Sequence, residues 1–114
     1  MEEKRNESRA NPLKVQFSSP RVRTALTVYE LSLLVEAKMH EVDLPFIVCH
    51  GLADTVTDPN ISKELHERAC SKDKTLKLYE NVWHSMWEEP EDLRSQIIDD
   101  ILSWLDARRA KKTL

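Results

Sequence analysis

Apolar positions along the chain change their period several times, and each change marks an element. From Pro20 onward, Leu26, Tyr29, Leu33 and Leu34 follow helical spacing, and Val22 and Ala25 extend that face. Proline is tolerated in a first turn, and Ser19 can cap it. The run continues through Glu36, Lys38 and Glu41. Asp43-Leu44-Pro45 ends it, because the residue before a proline avoids helical backbone. Core packing is the ordinary use of such a stripe, and a lipid-contacting helix is the alternative. Phe46-Ile47-Val48-Cys49 is too short for a helix and apolar on both faces, which predicts a parallel strand covered on two sides.

A second helix is predicted from Asp58-Pro59, read as N-cap and first helical residue, with Ile61, Leu65 and Ala69 facing inward. It should stop near Cys70-Ser71-Lys72-Asp73. Thr75-Leu76-Lys77-Leu78-Tyr79 alternates and predicts a second strand, and a loop over residues 80–90 follows. From Glu91 to about residue 109, Leu93, Ile97, Ile98, Ile101, Trp104 and Leu105 form one helical stripe. Glu91 and Asp92 sit at its positive end, with Arg108, Arg109, Lys111 and Lys112 near its negative end. Residues 1–20 carry the breakers Asn11-Pro12 and Ser18-Ser19-Pro20 and predict a loop or a poorly ordered segment. The fold class is therefore α/β over residues 21–114, ordered helix-strand-helix-strand-helix. The strand-helix-strand spacing implies two adjacent parallel strands joined by a right-handed crossover.

Composition narrows the function. The chain has 114 residues, one domain at most, and a net charge of -3, so no basic field favours nucleic acid. No apolar run is long enough to cross a membrane, and the charged N-terminus has no signal-peptide core. Cys49 and Cys70 show no motif spacing, which suits reduced thiols in a cytoplasmic protein. Gly51 is the only glycine, against average usage of about 7%. A G-x-S-x-G elbow, a dinucleotide loop and a Walker A loop each need more than one, so none is present.

Two residues carry the candidate chemistry. Asp54 and His84 each follow the carboxyl end of a predicted strand, the edge where open parallel sheets bind ligands. One helical crossover separates them, so both can reach the same rim, where a carboxylate can orient an imidazole as a general base. The plainer alternatives are that His84 is an ordinary loop histidine and that Asp54 only closes a turn. Asp58 is a rival acid, though its place before Pro59 suits capping better. His50, directly before Gly51, can line the site but is better suited to backbone contacts. His40 and His66 lie on predicted helices and should be solvated. A metal cluster of His50, Asp54 and His84 lacks any ligand pair at metal spacing.

The segment L-P-F-I-V-C-H-G-L-A-D-T-V-T-D-P, residues 44–59, closely resembles the region around the acid in plant monoacylglycerol lipase-like proteins. These belong to the α/β-hydrolase superfamily, with caffeoylshikimate esterase and lysophospholipase-like members. Residues 71–79, Trp83-His84-Ser85 and residues 98–106 resemble the same family's last strand, histidine loop and terminal helix, and Asn11-Pro12-Leu13 and residues 20–26 also look like it. Asn81 and Trp87 depart from the family pattern, at a turn where glycine is usual and after the histidine loop.

The resemblance implies the C-terminal part of an α/β-hydrolase fold, with Asp54 as triad acid and His84 as triad base. It implies an ester or lipid substrate and no cofactor. Chain order in this fold is serine, acid, histidine, so the nucleophile belongs upstream of Asp54. Ser8, Ser18, Ser19 and Ser32 are there, and none has flanking glycines. The 114 residues alone are therefore expected to be inactive. The alternative is a non-catalytic truncated product or interaction module. An open sheet edge would favour self-association, and contact with a membrane surface from the cytoplasm is a further expectation.

Overall fold

The computed structural model describes residues 6, 10, 12 and 19–112, and the chain divides into two compact units after Ala37. The segment expected to be irregular, residues 1–20, lies almost wholly outside the described residues.

Helix α1, Val22–Ala37, belongs to the first unit. It begins two residues later than Pro20, and the Ala25 N–H donates to the Arg21 carbonyl at 3.0 Å, so the cap position is Arg21 and not Ser19. It ends at Ala37, short of the expected Glu41. The expected core stripe is not buried, and no residue of α1 is. Val28, Leu31 and Val35 repeat at three and four on the side opposite Leu26 and Leu33, so the helix is apolar on two faces. No helix among the described residues is long and apolar enough to cross a membrane.

The second unit opens with a 3₁₀ turn, Met39–Glu41, with Met39 buried. Strand β1, Phe46–Gly51, helix α2, Pro59–Arg68, strand β2, Lys74–Tyr79, and helix α3, Glu91–Lys112, follow in that order. A single 3₁₀ turn, Met86–Glu88, precedes α3. The strands pair in parallel, Phe46 opposite Lys74 through Gly51 opposite Tyr79. β1 runs two residues beyond the apolar run, because the ladder continues through His50 and Gly51. The Leu52 N–H then donates to the Tyr79 carbonyl at 2.9 Å. At α2 the Asp58 side chain caps the helix by accepting from the Asn60 N–H at 2.9 Å, with Pro59 in the first turn.

Strand alternation decides which face each helix covers. Odd positions face α3. Trp104 donates to the Thr75 hydroxyl at 3.0 Å, Lys77 pairs with Asp100 at 3.2 Å, and the Tyr79 hydroxyl donates to Asp100 at 2.8 Å. Even positions face α2. His50 reaches Ser62 of that helix, and the Lys74 ammonium donates to the carbonyls of Glu67 and Ala69 at its end. Both strand faces are covered as expected, yet only Gly51 and Tyr79 at the strand ends are buried and the other strand residues stay half-buried, because each face has one helix over it.

The core is Tyr79, Val82 and Ile97, flanked by Cys49, Met86, Leu93 and Ile101. Burying Val82 and Ile97 stabilises by about 2 kcal/mol each. The α3 stripe is narrower than expected: Ile98 and Leu105 are exposed, and with Leu102 they make an outer row. The inner row, Leu93, Ile97, Ile101 and Trp104, continues to Arg108, whose guanidinium stacks 3.5 Å over the Trp104 ring. Burial also pushes the Tyr79 hydroxyl and the Cys49 thiol up from their ordinary pKa values, and acceptance by Asp100 adds to the Tyr79 shift.

Candidate active site

The site is built by two loops at the carboxyl ends of the strands. After Gly51 the acid loop turns sharply, and the Asp54 N–H donates to the Gly51 carbonyl at 3.2 Å. After Tyr79 the base loop turns through Asn81, which takes a left-handed backbone with φ of 60°. Asparagine tolerates that region better than other residues bearing a Cβ, which is how it serves where glycine is usual. Val82, fully buried, then anchors the loop in the core.

Gly51 makes the approach of the two loops possible. A Cβ there would lie 2.2 Å from the Val82 carbonyl oxygen, which no side chain can accept. The same carbonyl accepts from the Ala53 N–H at 3.1 Å, so the loops are joined where they are closest. The Trp83 indole N–H donates to the Thr55 hydroxyl at 3.3 Å, and the buried Glu89 carboxylate accepts from the Trp83 N–H at 3.0 Å. His84 is thus held by its immediate neighbour on two sides.

Asp54 and His84 are brought together, with His84 Nδ1 at 3.0 Å from Asp54 Oδ2. The carboxylate is only 3% exposed. Its Oδ1 accepts from the N–H groups of Val56 and Thr57 at 2.8 and 3.0 Å. Its Oδ2 also accepts from the Thr57 hydroxyl at 2.7 Å. Burial by itself would push this carboxyl up. The Thr57 N–H, Thr57 hydroxyl, His84 and Val56 hydrogen bonds outweigh it and hold Asp54 well below the usual carboxylate range. An ionised carboxylate only accepts, so the ring nitrogen facing it carries the proton. Neutral His84 therefore presents Nε2 as a bare lone pair, and its side chain is 45% exposed.

His50 was expected to contact backbone, and its ring does lie 3.3 Å from the Thr57 carbonyl, but it also joins the acid. Nε2 lies 3.1 Å from Asp54 Oδ2, and Nδ1 lies 2.6 Å from Ser62 Oγ. The signal was available in the strand alternation, which sends even residues toward α2, and in the four-residue turn from His50 to Asp54. Thr57 gave no sequence signal of its own. Asp58 stays with its helix cap, His40 is exposed as expected, and His66 is half-buried rather than solvated. His50, Asp54 and His84 do meet, but as donors on a carboxylate. Among the described residues no group of side chains is arranged to hold a metal ion. Both cysteines are free. A cavity of about 380 Å³ opens beside His84, lined by Cys49, Met86, Ile97 and Ile101 as well as Ser85 and the exposed Trp87.

Parallel strands with helices on both faces, and a carboxylate and an imidazole hydrogen-bonded at their carboxyl ends, are the arrangement of an α/β-hydrolase fold. The comparison with solved structures agrees. Monoacylglycerol lipase of Paleococcus ferrophilus superposes with a TM-score of 0.77 over 91% of this chain and 39% of its own, at 23% identity. Residues 2–91 match the family described as serine aminopeptidase, S33, and the chain belongs to that family. Caffeoylshikimate esterase of Arabidopsis thaliana is 38% identical over 93 residues, 81% of this chain and 28% of that protein. Monoglyceride lipase of Mus musculus is 34% identical over 76 residues, 67% of this chain and 25% of its own length. The chain thus spans about a quarter of the length of these two relatives.

Proposed function

We propose that these residues supply the acid and the base of a serine hydrolase acting on carboxylic esters of lipid-like substrates. The observation that carries this is the Asp54–His84 hydrogen bond at 3.0 Å, made through Nδ1 so that Nε2 remains free. His84 Nε2 takes the proton of a serine hydroxyl as that oxygen attacks the ester carbonyl, and returns it to the departing alkoxide. Asp54 keeps the ring in one tautomer and stabilises the imidazolium that forms between those events. The ester class rests on the esterase and lipases among the relatives. Two free thiols fit the cytoplasm.

The serine must come from elsewhere, since a single glycine builds no nucleophile elbow. The 114-residue chain alone therefore forms no acyl-enzyme, and missing oxyanion donors would cost about a further 10² to 10³ in rate. A fluorophosphonate probe tests this directly. Purified chain should remain unlabelled, and covalent labelling of any of its serines contradicts the reading.

A non-catalytic interaction module is the second reading, favoured by one feature of the sheet. Among the described residues β1 pairs only with β2, which leaves each strand with an open edge. Self-association follows from that reading, and a monomer by light scattering at high concentration counts against it.

A further inference from the structure

His50 is a histidine that the acid–base pair does not need, yet it contacts the acid more closely than any other residue on β1. Three groups converge on Asp54 Oδ2: His84 Nδ1 at 3.0 Å, His50 Nε2 at 3.1 Å and the Thr57 hydroxyl at 2.7 Å. A buried, ionised carboxylate accepts and never donates, so His50 faces it with Nε2–H. On the far side of the ring, Nδ1 lies 2.6 Å from Ser62 Oγ. A neutral imidazole with its proton on Nε2 can only accept there, so the Ser62 hydroxyl donates.

We propose that Ser62 and His50 form a second arm on the acid: the Ser62 hydroxyl donates to Nδ1 of neutral His50, and the Nε2–H of that ring positions Asp54 Oδ2 for His84. The proposal rests on the reading of Asp54 and His84 as acid and base. His50 is a positioning residue, since it touches neither substrate nor serine.

The charge state matters as much as the geometry. A doubly protonated His50 would set a cation 3.1 Å from the carboxylate. That would cancel the charge His84 needs when it becomes imidazolium. A neutral His50 donates a hydrogen bond and leaves the negative charge for His84. Ser62 sits on α2, whose start is fixed by the Asp58 cap and Pro59, so the far end of the arm is anchored in a helix. The acid is thereby tied to α2 through His50, and to the base loop through His84.

Long-range ¹H–¹⁵N spectra of the histidine rings in the labelled full chain test this. Wild type should show His50 with Nε2 protonated and Nδ1 bare, and His84 with Nδ1 protonated. In Ser62→Ala, Nδ1 loses its donor, so the His50 Nδ1 signal should shift while Nε2 keeps its proton, and the His84 Nδ1 proton should exchange with water several-fold faster. Ser62→Thr keeps the hydroxyl and should restore the wild-type pattern. Alanine is a strong helix former, so Ser62→Ala retains α2. His50→Gln, which keeps a donor N–H, should protect the His84 proton better than His50→Leu. A role in packing alone would change stability without moving these ring signals. If the His84 proton responds to Asp54→Asn but not to Ser62→Ala or His50→Leu, the second arm is overturned while the acid–base pair stands. If it ignores Asp54→Asn as well, the acid–base reading falls first.

Discussion

Asp54 and Asp73 stand at opposite ends of the same two-stranded sheet, and each carboxylate binds a nitrogenous side chain. Asp73, just before β2, is gripped by Arg108 through Nε at 2.8 Å and through Nη2 on its other oxygen. Arg108 is held in turn by the Trp104 carbonyl at 2.6 Å and by stacking on the Trp104 ring. A guanidinium does not give up its proton, so this pair closes α3 onto the start of β2 and moves no charge. Asp54 is more deeply buried and faces an imidazole, whose second nitrogen is left over. The same anion closes a helix onto a strand at one end of the sheet and holds an imidazole in one orientation at the other. What separates them is the partner's ability to exist in two protonation states, together with the loop contacts that hold the carboxylate ionised without it.

The largest effect is expected from removing the condition for that arrangement. Gly51→Ala would drive a methyl into the Val82 carbonyl, and the base loop must move. We expect a loss of about 3 kcal/mol in denaturant unfolding, with the His84 Nδ1 proton signal lost even in the folded fraction. Retention of that signal at wild-type stability would mean that the two loops do not depend on close approach at Gly51.

Asp54→Asn comes next, at about 2 kcal/mol at neutral pH, because buried donors lose an ionic acceptor. Its pH dependence is the sharper reading. The folded carboxyl is held far below its unfolded value, near 4, so its contribution is fully present above that value. As pH falls, the unfolded chain takes up a proton that the folded chain refuses, and stability drops. Urea midpoints from pH 7 to about 3 should therefore fall more steeply in wild type than in Asp54→Asn. Parallel curves would count against a depressed Asp54.

Arg108→Ala tests the clasp. Its two side chains are 24% and 37% exposed, so solvent screening lowers the loss to about 1–2 kcal/mol. The His84 ring signals should stay where they are in wild type. A shifted His84 would mean that the two ends of the sheet are coupled.

What the sequence disclosed about these two ends differs for a physical reason. Both strands, the capped start of α2 and the start of α3 follow from local pattern: apolar runs, Asp58-Pro59, and Glu91 after Pro90. The pairing of Asp54 with His84 was legible because parallel topology sends both strand ends to one rim. Three features were not legible. Val82 reads as a loop residue, yet it is the most buried side chain of the base loop, because loop burial depends on contacts distant in sequence. The outward turn of Ile98 and Leu105 depends on how narrow the surface under α3 is, which the helix itself does not encode. Helix α1 offered a stripe and also a second apolar face, and the stripe alone suggested burial that α1 does not have.

The smallest expected effect bears on the identity of the acid. Asp54 and Asp58 are four residues apart in one loop, and composition alone makes them equal candidates. The structure divides their work. Asp54 accepts from two N–H groups, a hydroxyl and two histidines, whereas Asp58 accepts from the Asn60 N–H at 2.9 Å. Replacing an N-cap aspartate with alanine costs about 1 kcal/mol. Asp58→Ala should show that loss in urea unfolding and leave the His84 Nδ1 proton untouched, because the helix remains in place once Pro59 has set its first turn. Asp54→Asn should disturb that proton at once. If Asp58→Ala disturbed it equally, α2 would have to be moving with its cap, carrying Ser62 and His50 away from the acid. In that case the helix start would belong to the site as fully as the loop does.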